Sequence, residues 1–135
     1  MKDNQPENVK AAFEAIPAPS RKVLIAARAR LFDLAEEEGV GPLTETLKWG
    51  QPSYLTEVTK AGSTVRLALS GDTPAAFFTC SSSLVDGFRA DFGDALTYQG
   101  NRAVMLKEPF PDVLDFCFVR ALTYHRAKLL AKQQN

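Results

Sequence analysis

The chain has 135 residues, of which 45% are hydrophobic and 24% are charged, as expected for one globular domain with a single core. Its 16 basic and 16 acidic residues cancel, so charge gives no argument for binding nucleic acid or an anionic membrane surface. No apolar run approaches the about 20 residues that span a bilayer, and segment 1–6 lacks the apolar core of a signal peptide. We therefore expect a cytoplasmic protein, with no nucleic-acid or membrane partner, whose residues 1–6 are disordered.

The N-terminal part of the chain is predicted to be helical. Apolar residues recur at helical spacing over residues 9–16 and predict a short amphipathic helix that Pro17 ends. Ser20 is the expected N-cap of a longer helix, which has one apolar stripe and runs to about Glu38. Gly39 then closes this second helix.

The second helix carries the candidate metal ligands of the chain, Asp33, Glu36 and Glu37. Their spacings of three and four residues place them on one helix face, and hard cations prefer several carboxylate oxygens. Arg30 precedes Asp33 by three residues and can neutralise it. Because outward-facing acids on a helix usually form only a solvated face, the cluster is open to both interpretations.

The segment 44–54 separates the helical half from a strand-rich half. Thr44 is a plausible N-cap and Gly50 can take the left-handed conformation that ends a helix. Pro52 then forbids helix continuation. We therefore predict one short helical turn, which includes the only tryptophan, Trp49, and then a strand that begins near Tyr54.

Two interpretations of Trp49 follow from this position. It is either a core anchor that locks a helix–sheet corner, or it lines a ligand cleft at that corner together with Lys48 and Tyr54. Arg102, on a later hairpin, is included as a further cleft residue. Lys48 and Arg102 form an anion site with Arg89 only if the fold gathers these three cations.

Alternating apolar residues and hairpin turns predict a largely antiparallel sheet. Gly62 lies in one predicted hairpin loop, and Gly100-Asn101 is a strong two-residue hairpin signal. Together with the helices this pattern predicts an α+β fold, with a five-stranded sheet packed against N- and C-terminal helices. The five predicted strands are 54–59, 64–70, 75–80, 96–99 and 102–106, with a short helix at 84–92.

The last element is predicted to be one long helix over residues 111–132. Pro111 suits its first position, and no acidic residue follows Asp115. The helix is apolar nearly all round. Either the other helices wrap around it, or one of its faces is an oligomer interface.

The residue types that carry catalysis do not form a recognisable motif. The only histidine, His125, follows Cys117 by eight residues on the same predicted helix, a rise of about 12 Å, so the two side chains cannot form a hydrogen bond. Cys117 and Cys80 are both expected to be buried, reduced thiols. We assign no catalytic residue and expect a protein that is not an enzyme.

Several motifs resemble one known family. The segment Glu45-x-x-Lys48-Trp49-Gly50-x-Pro52-x-Tyr54 resembles the YdhG-like family of uncharacterised bacterial proteins. The resemblance implies a curved antiparallel sheet backed by helices, similar to frataxin, and an intracellular iron-chaperone role has been attached to one branch. Three later segments also resemble one branch of the family: Gly87-Phe88-Arg89, Leu96-Thr97-Tyr98-x-Gly100-Asn101-Arg102 and Ala121-Leu122-x-Tyr124-His125-Arg126.

Three functional hypotheses follow. The first is a non-enzymatic ligand-binding or interaction domain whose partner is an unknown small molecule. The second, implied by the resemblance, is a frataxin-like iron chaperone that uses Asp33, Glu36 and Glu37; no cofactor other than iron is expected. The third is a homodimeric structural module that associates through the C-terminal helix, so the chain is expected to be a monomer or a homodimer.

Overall fold

The structure, a computed structural model, describes residues 4–134. Residues 1–3 of the segment predicted to be disordered lie outside the described part. The Pro6 carbonyl accepts a hydrogen bond from the Lys10 N–H at 3.0 Å, so Pro6 takes part in the start of the first helix. The helices are α1 (Glu7–Glu14), α2 (Ala18–Glu38), α3 (Leu84–Phe92), α4 (Val113–Leu122) and α5 (Tyr124–Gln134). The strands are β1 (Thr44–Lys48), β2 (Gln51–Leu55), β3 (Val65–Ser70), β4 (Thr73–Phe78), β5 (Tyr98–Gln99) and β6 (Ala103–Met105).

All pairings in the sheet are antiparallel, in the order β1-β2-β3-β4-β6-β5, and the fold is of the α+β class. Helix α1 packs on β1 and β2, α2 packs on β3 and β4, and α4 packs on α2 and β3. The helices thus cover the sheet and form one core with it, as the class prediction requires. No helix of residues 4–134 combines the length and the apolar character needed to cross a membrane.

The described sheet has six strands rather than the predicted five, because segment 44–48 is a strand and not a helical turn. It pairs with β2 in a register that sets Lys48 opposite Gln51. Trp49 and Gly50 form the connecting turn with φ values of 57° and 74°, and positive φ at both central residues is the requirement of a type I′ hairpin turn. Gly50 is therefore left-handed as predicted, but in a hairpin and not at a helix end.

Helix α2 begins at Ala18, two residues before Ser20, the predicted cap. Pro19 lies in the first turn, where its fixed φ suits a helix and its missing N–H costs nothing. At the other end, Gly39 takes a left-handed φ of 64° and closes the helix as predicted.

The predicted C-terminal helix is broken in two at Thr123. The break has a defined cause, since the carbonyl of Ala61, in the β2–β3 loop, accepts hydrogen bonds from the N–H groups of His125 (2.8 Å) and Arg126 (2.9 Å). In a continuous helix these two N–H groups would bond to carbonyls one turn earlier in the helix. The loop thus replaces part of the helical ladder, and such an insertion is a recognised cause of kinks.

The loop residues next to Ala61 complete this insertion. The Ser63 N–H donates to the carbonyl oxygen of Ala121 at 2.8 Å, which satisfies one of the carbonyls freed at the end of α4. Gly62 lies so close to the helix that a β-carbon at its position would overlap the backbone carbonyls of Ala121 and Leu122. Only a residue without a side chain fits here without a backbone shift.

Helix α4 is wrapped by the rest of the chain, which is the first of the two alternatives for its apolar surface. It packs against α2, α3 and β3. Phe116 is an exception, with 60% of its surface exposed. The buried residues of α4 are Leu114, Cys117, Phe118, Ala121 and Leu122.

Candidate functional site

The predicted cleft residues lie in different parts of the molecule. Trp49 is 89% exposed at the β1–β2 turn next to exposed Lys48, whereas Tyr54 is fully buried. Arg102 lies in the β5–β6 turn, four strand positions across the sheet from β1, or roughly 19 Å at the usual strand spacing. Arg89 donates to the Gly100 carbonyl at 2.6 Å, close to Arg102 and far from Lys48. The structure therefore places neither Trp49 in the core nor these residues around one cleft.

Tyr54 belongs instead to a buried polar network that joins two strands to α2. Its hydroxyl donates to the Glu45 carboxylate at 2.8 Å, and Arg28 donates to both oxygens of that carboxylate at 2.5 and 2.8 Å. Burial raises the pKa of the Tyr54 phenol well above its ordinary value, and Glu45 raises it further. The hydrogen bond to Glu45 raises the pKa of the Arg28 guanidinium. Because the polar groups of these three residues are hydrogen-bonded to one another, we interpret the network as a structural link between α2 and the strands β1 and β2.

The three predicted metal ligands do not converge. Asp33 is half-buried and Glu36 and Glu37 are exposed on α2. Among the described residues, no group of three or more His, Cys, Asp or Glu side chains is placed to hold a metal ion. Arg30, which hydrogen-bonds Asp115, has a raised pKa to which Asp115 contributes most and Glu37 and Asp33 add, so these acids act partly on a neighbouring cation.

The two cysteines differ in environment, and the expectation that both are buried is wrong for Cys80. Cys117 is buried, and the loss of solvent raises the pKa of its thiol to about 12. Cys80 is exposed because β4 ends at Phe78, so that Cys80 begins a short 3-10 turn over Cys80–Ser82 instead of continuing the strand.

A concave site that the sequence did not indicate lies where the β2–β3 loop enters the break between α4 and α5. It consists of two adjoining depressions that share Gly62, Thr64 and His125, and we call it the junction groove. The first depression, the loop lobe, has a volume of about 390 Å³, and the second, the serine lobe, about 410 Å³. The loop lobe adds Leu55, Thr56, Glu57 and Lys60, and the serine lobe adds Ser63, Thr79, Ser81, Ser82, Tyr124 and Lys128.

The loop wall of the groove is held by side-chain hydrogen bonds. Buried Thr56 accepts a hydrogen bond from the Gly62 N–H at 2.9 Å, across the base of the loop. Thr59 donates to the Val40 carbonyl at 2.6 Å and so attaches the loop to the segment that follows α2. The loop wall is therefore braced on two sides, which is the condition for a preformed site.

The helix wall of the groove is fixed by α5 and its neighbours. Arg126 donates to the backbone carbonyl of Glu38 at 2.9 Å and so fastens the first turn of α5 to the end of α2. The Tyr124 hydroxyl donates to the Ser82 carbonyl at 3.3 Å across the serine lobe. His125 is exposed, and its ring packs edge-on against Tyr124 with centroids 5.1 Å apart.

Sequence reasoning singled out Gly62 as a hairpin glycine, His125 as the single histidine and Tyr124 as part of a resemblance motif, but it did not bring them together in one site. Most of the other lining residues are serines, threonines and lysines with no motif of their own. A stronger signal was the hydroxyl-rich run Ser81-Ser82-Ser83 beside Thr79, but nothing local places it next to the C-terminal helix.

In comparisons with known proteins, no family model, no curated protein and no solved structure matches this chain. The YdhG-like resemblance, with its frataxin-like fold and iron-chaperone role, therefore stays a prediction from sequence motifs.

Proposed function

We propose that this protein is a non-enzymatic ligand-binding domain that holds a small polar molecule in the junction groove. The observation that carries the proposal is the meeting of the two lobes at Gly62, Thr64 and His125. Each lobe has a volume within the range of about 300–1,000 Å³ that is typical of small-molecule sites. The hydrogen bonds that brace the loop and α5 support a site that exists before the ligand arrives.

The hydrogen bonding of the groove favours binding over catalysis. A serine nucleophile needs a base that accepts its proton. The Ser82 hydroxyl instead donates to the Thr79 carbonyl at 2.5 Å, and within residues 4–134 no hydrogen bond joins His125 to a serine. The groove thus offers donors and a concave shape without an activated nucleophile.

The other hypotheses have less support from the geometry. An iron chaperone needs a group of ligands, and the described residues form none. A homodimer through the C-terminal helix would have to use Phe116 and the exposed side of α5, since most of α4 is already packed within the chain. A cytoplasmic location remains part of the proposal, and the two free cysteines are compatible with it.

The test is a screen of small polar metabolites against the ¹⁵N-labelled protein by NMR. We expect at least one compound to shift the amide signals of Gly62, Ser63 and Thr64, together with the signal of His125, and to leave the indole N–H of Trp49 unchanged. Shifts confined to Trp49 and Lys48 would instead place binding at the β1–β2 turn. A broad screen without any shift at the groove would contradict the proposal.

A further inference from the structure

The two lobes of the junction groove differ in charge. The loop lobe contains one cation and one carboxylate, Lys60 and Glu57. The serine lobe contains Lys128 and His125, and no carboxylate is among its lining residues. Within residues 4–134 the Lys128 ammonium has no ion pair, and it lies 4.8 Å from the centre of the Tyr124 ring at the edge of the lobe. The serine lobe is therefore the part of the groove that has a lysine and no carboxylate among its lining residues, so a bound anion meets no like charge there.

The hydroxyl groups of the serine lobe point to the same kind of ligand. The Ser63 and Thr79 hydroxyls share one hydrogen bond of 2.9 Å, so one of their two protons is left to be donated to a ligand. Ser81 is exposed, and its hydroxyl has no hydrogen-bond partner within the described residues. Thr79, Ser81, His125 and Lys128 thus surround the lobe with donors. A tetrahedral oxyanion is the ligand that uses several donors and a cation at once.

We propose that the serine lobe binds the phosphate group of a small phosphate monoester, whose uncharged part extends over Gly62 and Thr64 into the loop lobe. The proposal rests on the proposed function, because it names the class of ligand for the same groove. The loop lobe suits the uncharged part, since it presents the apolar side chain of Leu55 beside Thr56.

The experiment uses inorganic phosphate, glycerol 3-phosphate and glycerol as probes in ¹⁵N NMR titrations of the full chain. We expect both phosphates to shift the signals of Ser63, Ser81 and His125, and glycerol to shift none at the same concentration. Replacing Lys128 with Gln is expected to weaken phosphate binding by about tenfold, the effect of losing one charge-assisted hydrogen bond. Because Lys128 is exposed, the variant keeps the fold, which its amide spectrum verifies.

Lys132→Gln is the matched control, because it removes the same charge from the same helix at an exposed position that does not line the groove. We expect it to change phosphate affinity by less than about twofold. If both variants weakened phosphate binding equally, the effect would come from the overall charge of the helix and not from a contact at the serine lobe, and the proposal would be overturned. If neutral compounds shift the groove signals and neither phosphate does, the phosphate proposal fails and the ligand-binding function stands. If no compound of either kind shifts them, both fail.

Discussion

Strand β2 lies between two connections, the β1–β2 turn before it and the β2–β3 loop after it, and these differ in how they contact the rest of the protein. The β1–β2 turn, Trp49-Gly50, is a tight hairpin whose large side chain is 89% exposed. The β2–β3 loop, in contrast, inserts the backbone of Ala61, Gly62 and Ser63 into the break between two helices.

The difference shows that side-chain size is a poor guide to which loop a fold depends on. The turn with the only tryptophan contributes local backbone geometry, whereas the small residues Ala61 and Ser63 supply hydrogen bonds to the backbone at the break between α4 and α5. Buried backbone groups must find partners, so a loop that breaks a helix must also satisfy the groups that it frees. The β2–β3 loop does so through Ala61 and Ser63, and the junction groove is the surface that results.

The largest expected effect is at Gly62. A Gly62→Ala substitution should lower the free energy of unfolding by about 3 kcal/mol, because its β-carbon meets backbone carbonyls that cannot rotate away. The measurement is urea unfolding followed by circular dichroism. Gly87→Ala is the matched control, since Gly87 lies inside α3 with open space around it. That change should stabilise the protein by about 0.5–1 kcal/mol, and equal destabilisation by both variants would contradict the close approach.

The second effect concerns Tyr54, in the strand that joins the two connections. Burial raises the pKa of its phenol above the ordinary value of 10.0, so the folded state keeps a proton that the unfolded state loses. Tyr54 therefore contributes stability that is complete below pH 10 and falls by about 1.4 kcal/mol per pH unit above it. The thiol of Cys117 has its pKa raised from the ordinary value of 9.0 to about 12, so it also lowers the stability of the folded state as the pH rises above 9.0.

Substitution of Tyr54 separates these contributions. Tyr54→Phe should cost about 1–3 kcal/mol at neutral pH, because buried Glu45 loses a hydrogen bond. Above pH 10 the variant should lose stability less steeply with pH than the wild type. Urea unfolding at several pH values measures both effects, and parallel pH profiles would show that the phenol ionises in the folded protein.

The smallest effect is expected at the exposed turn. Trp49 holds a φ of 57°, which is unfavourable for a bulky residue and is tolerated better by asparagine. Trp49→Asn should therefore raise the free energy of unfolding by about 0.5 kcal/mol, as an Asn-Gly turn suits this hairpin. Lys60 has the same φ of 57° in the other connection, so Lys60→Asn is the matched comparison. A loss of more than about 1 kcal/mol for Trp49→Asn would mean that the indole stabilises the fold.

The α+β class was predictable because it depends on local patterns. The alternation along β3 and the Gly100-Asn101 signal predicted the right strand partners, and the glycine at position 39 marked the end of α2. The β5–β6 turn has three residues rather than the predicted two, because Gln99 lies opposite Ala103 and Arg102 belongs to the turn. Segment 44–50 was mispredicted because a left-handed glycine serves a helix end and a hairpin equally well. Nothing within the segment distinguishes a helix end from a hairpin turn, and only the pairing of segment 44–48 with β2 makes it a hairpin.

The candidate site was not predictable for a different reason. The break at Thr123 is imposed by Ala61, about sixty residues earlier in the chain, and the sequence around Thr123 is compatible with a continuous helix. Thr79 and Ser81 line the groove because they follow the end of β4 at Phe78, and the first residues of α5 line the same groove. Contacts of this kind leave no periodic trace in the sequence.

The exposure of Trp49 has a consequence for spectroscopy. The only indole of the chain is largely exposed to water in the folded state, so its wavelength of maximum emission should change little when the protein unfolds. Fluorescence will therefore underestimate the unfolding transition that circular dichroism records. The same property makes Trp49 a built-in probe for encounters at the hairpin tip. An emission shift to the blue in a mixture would report that something has covered the tip and not that the domain has rearranged.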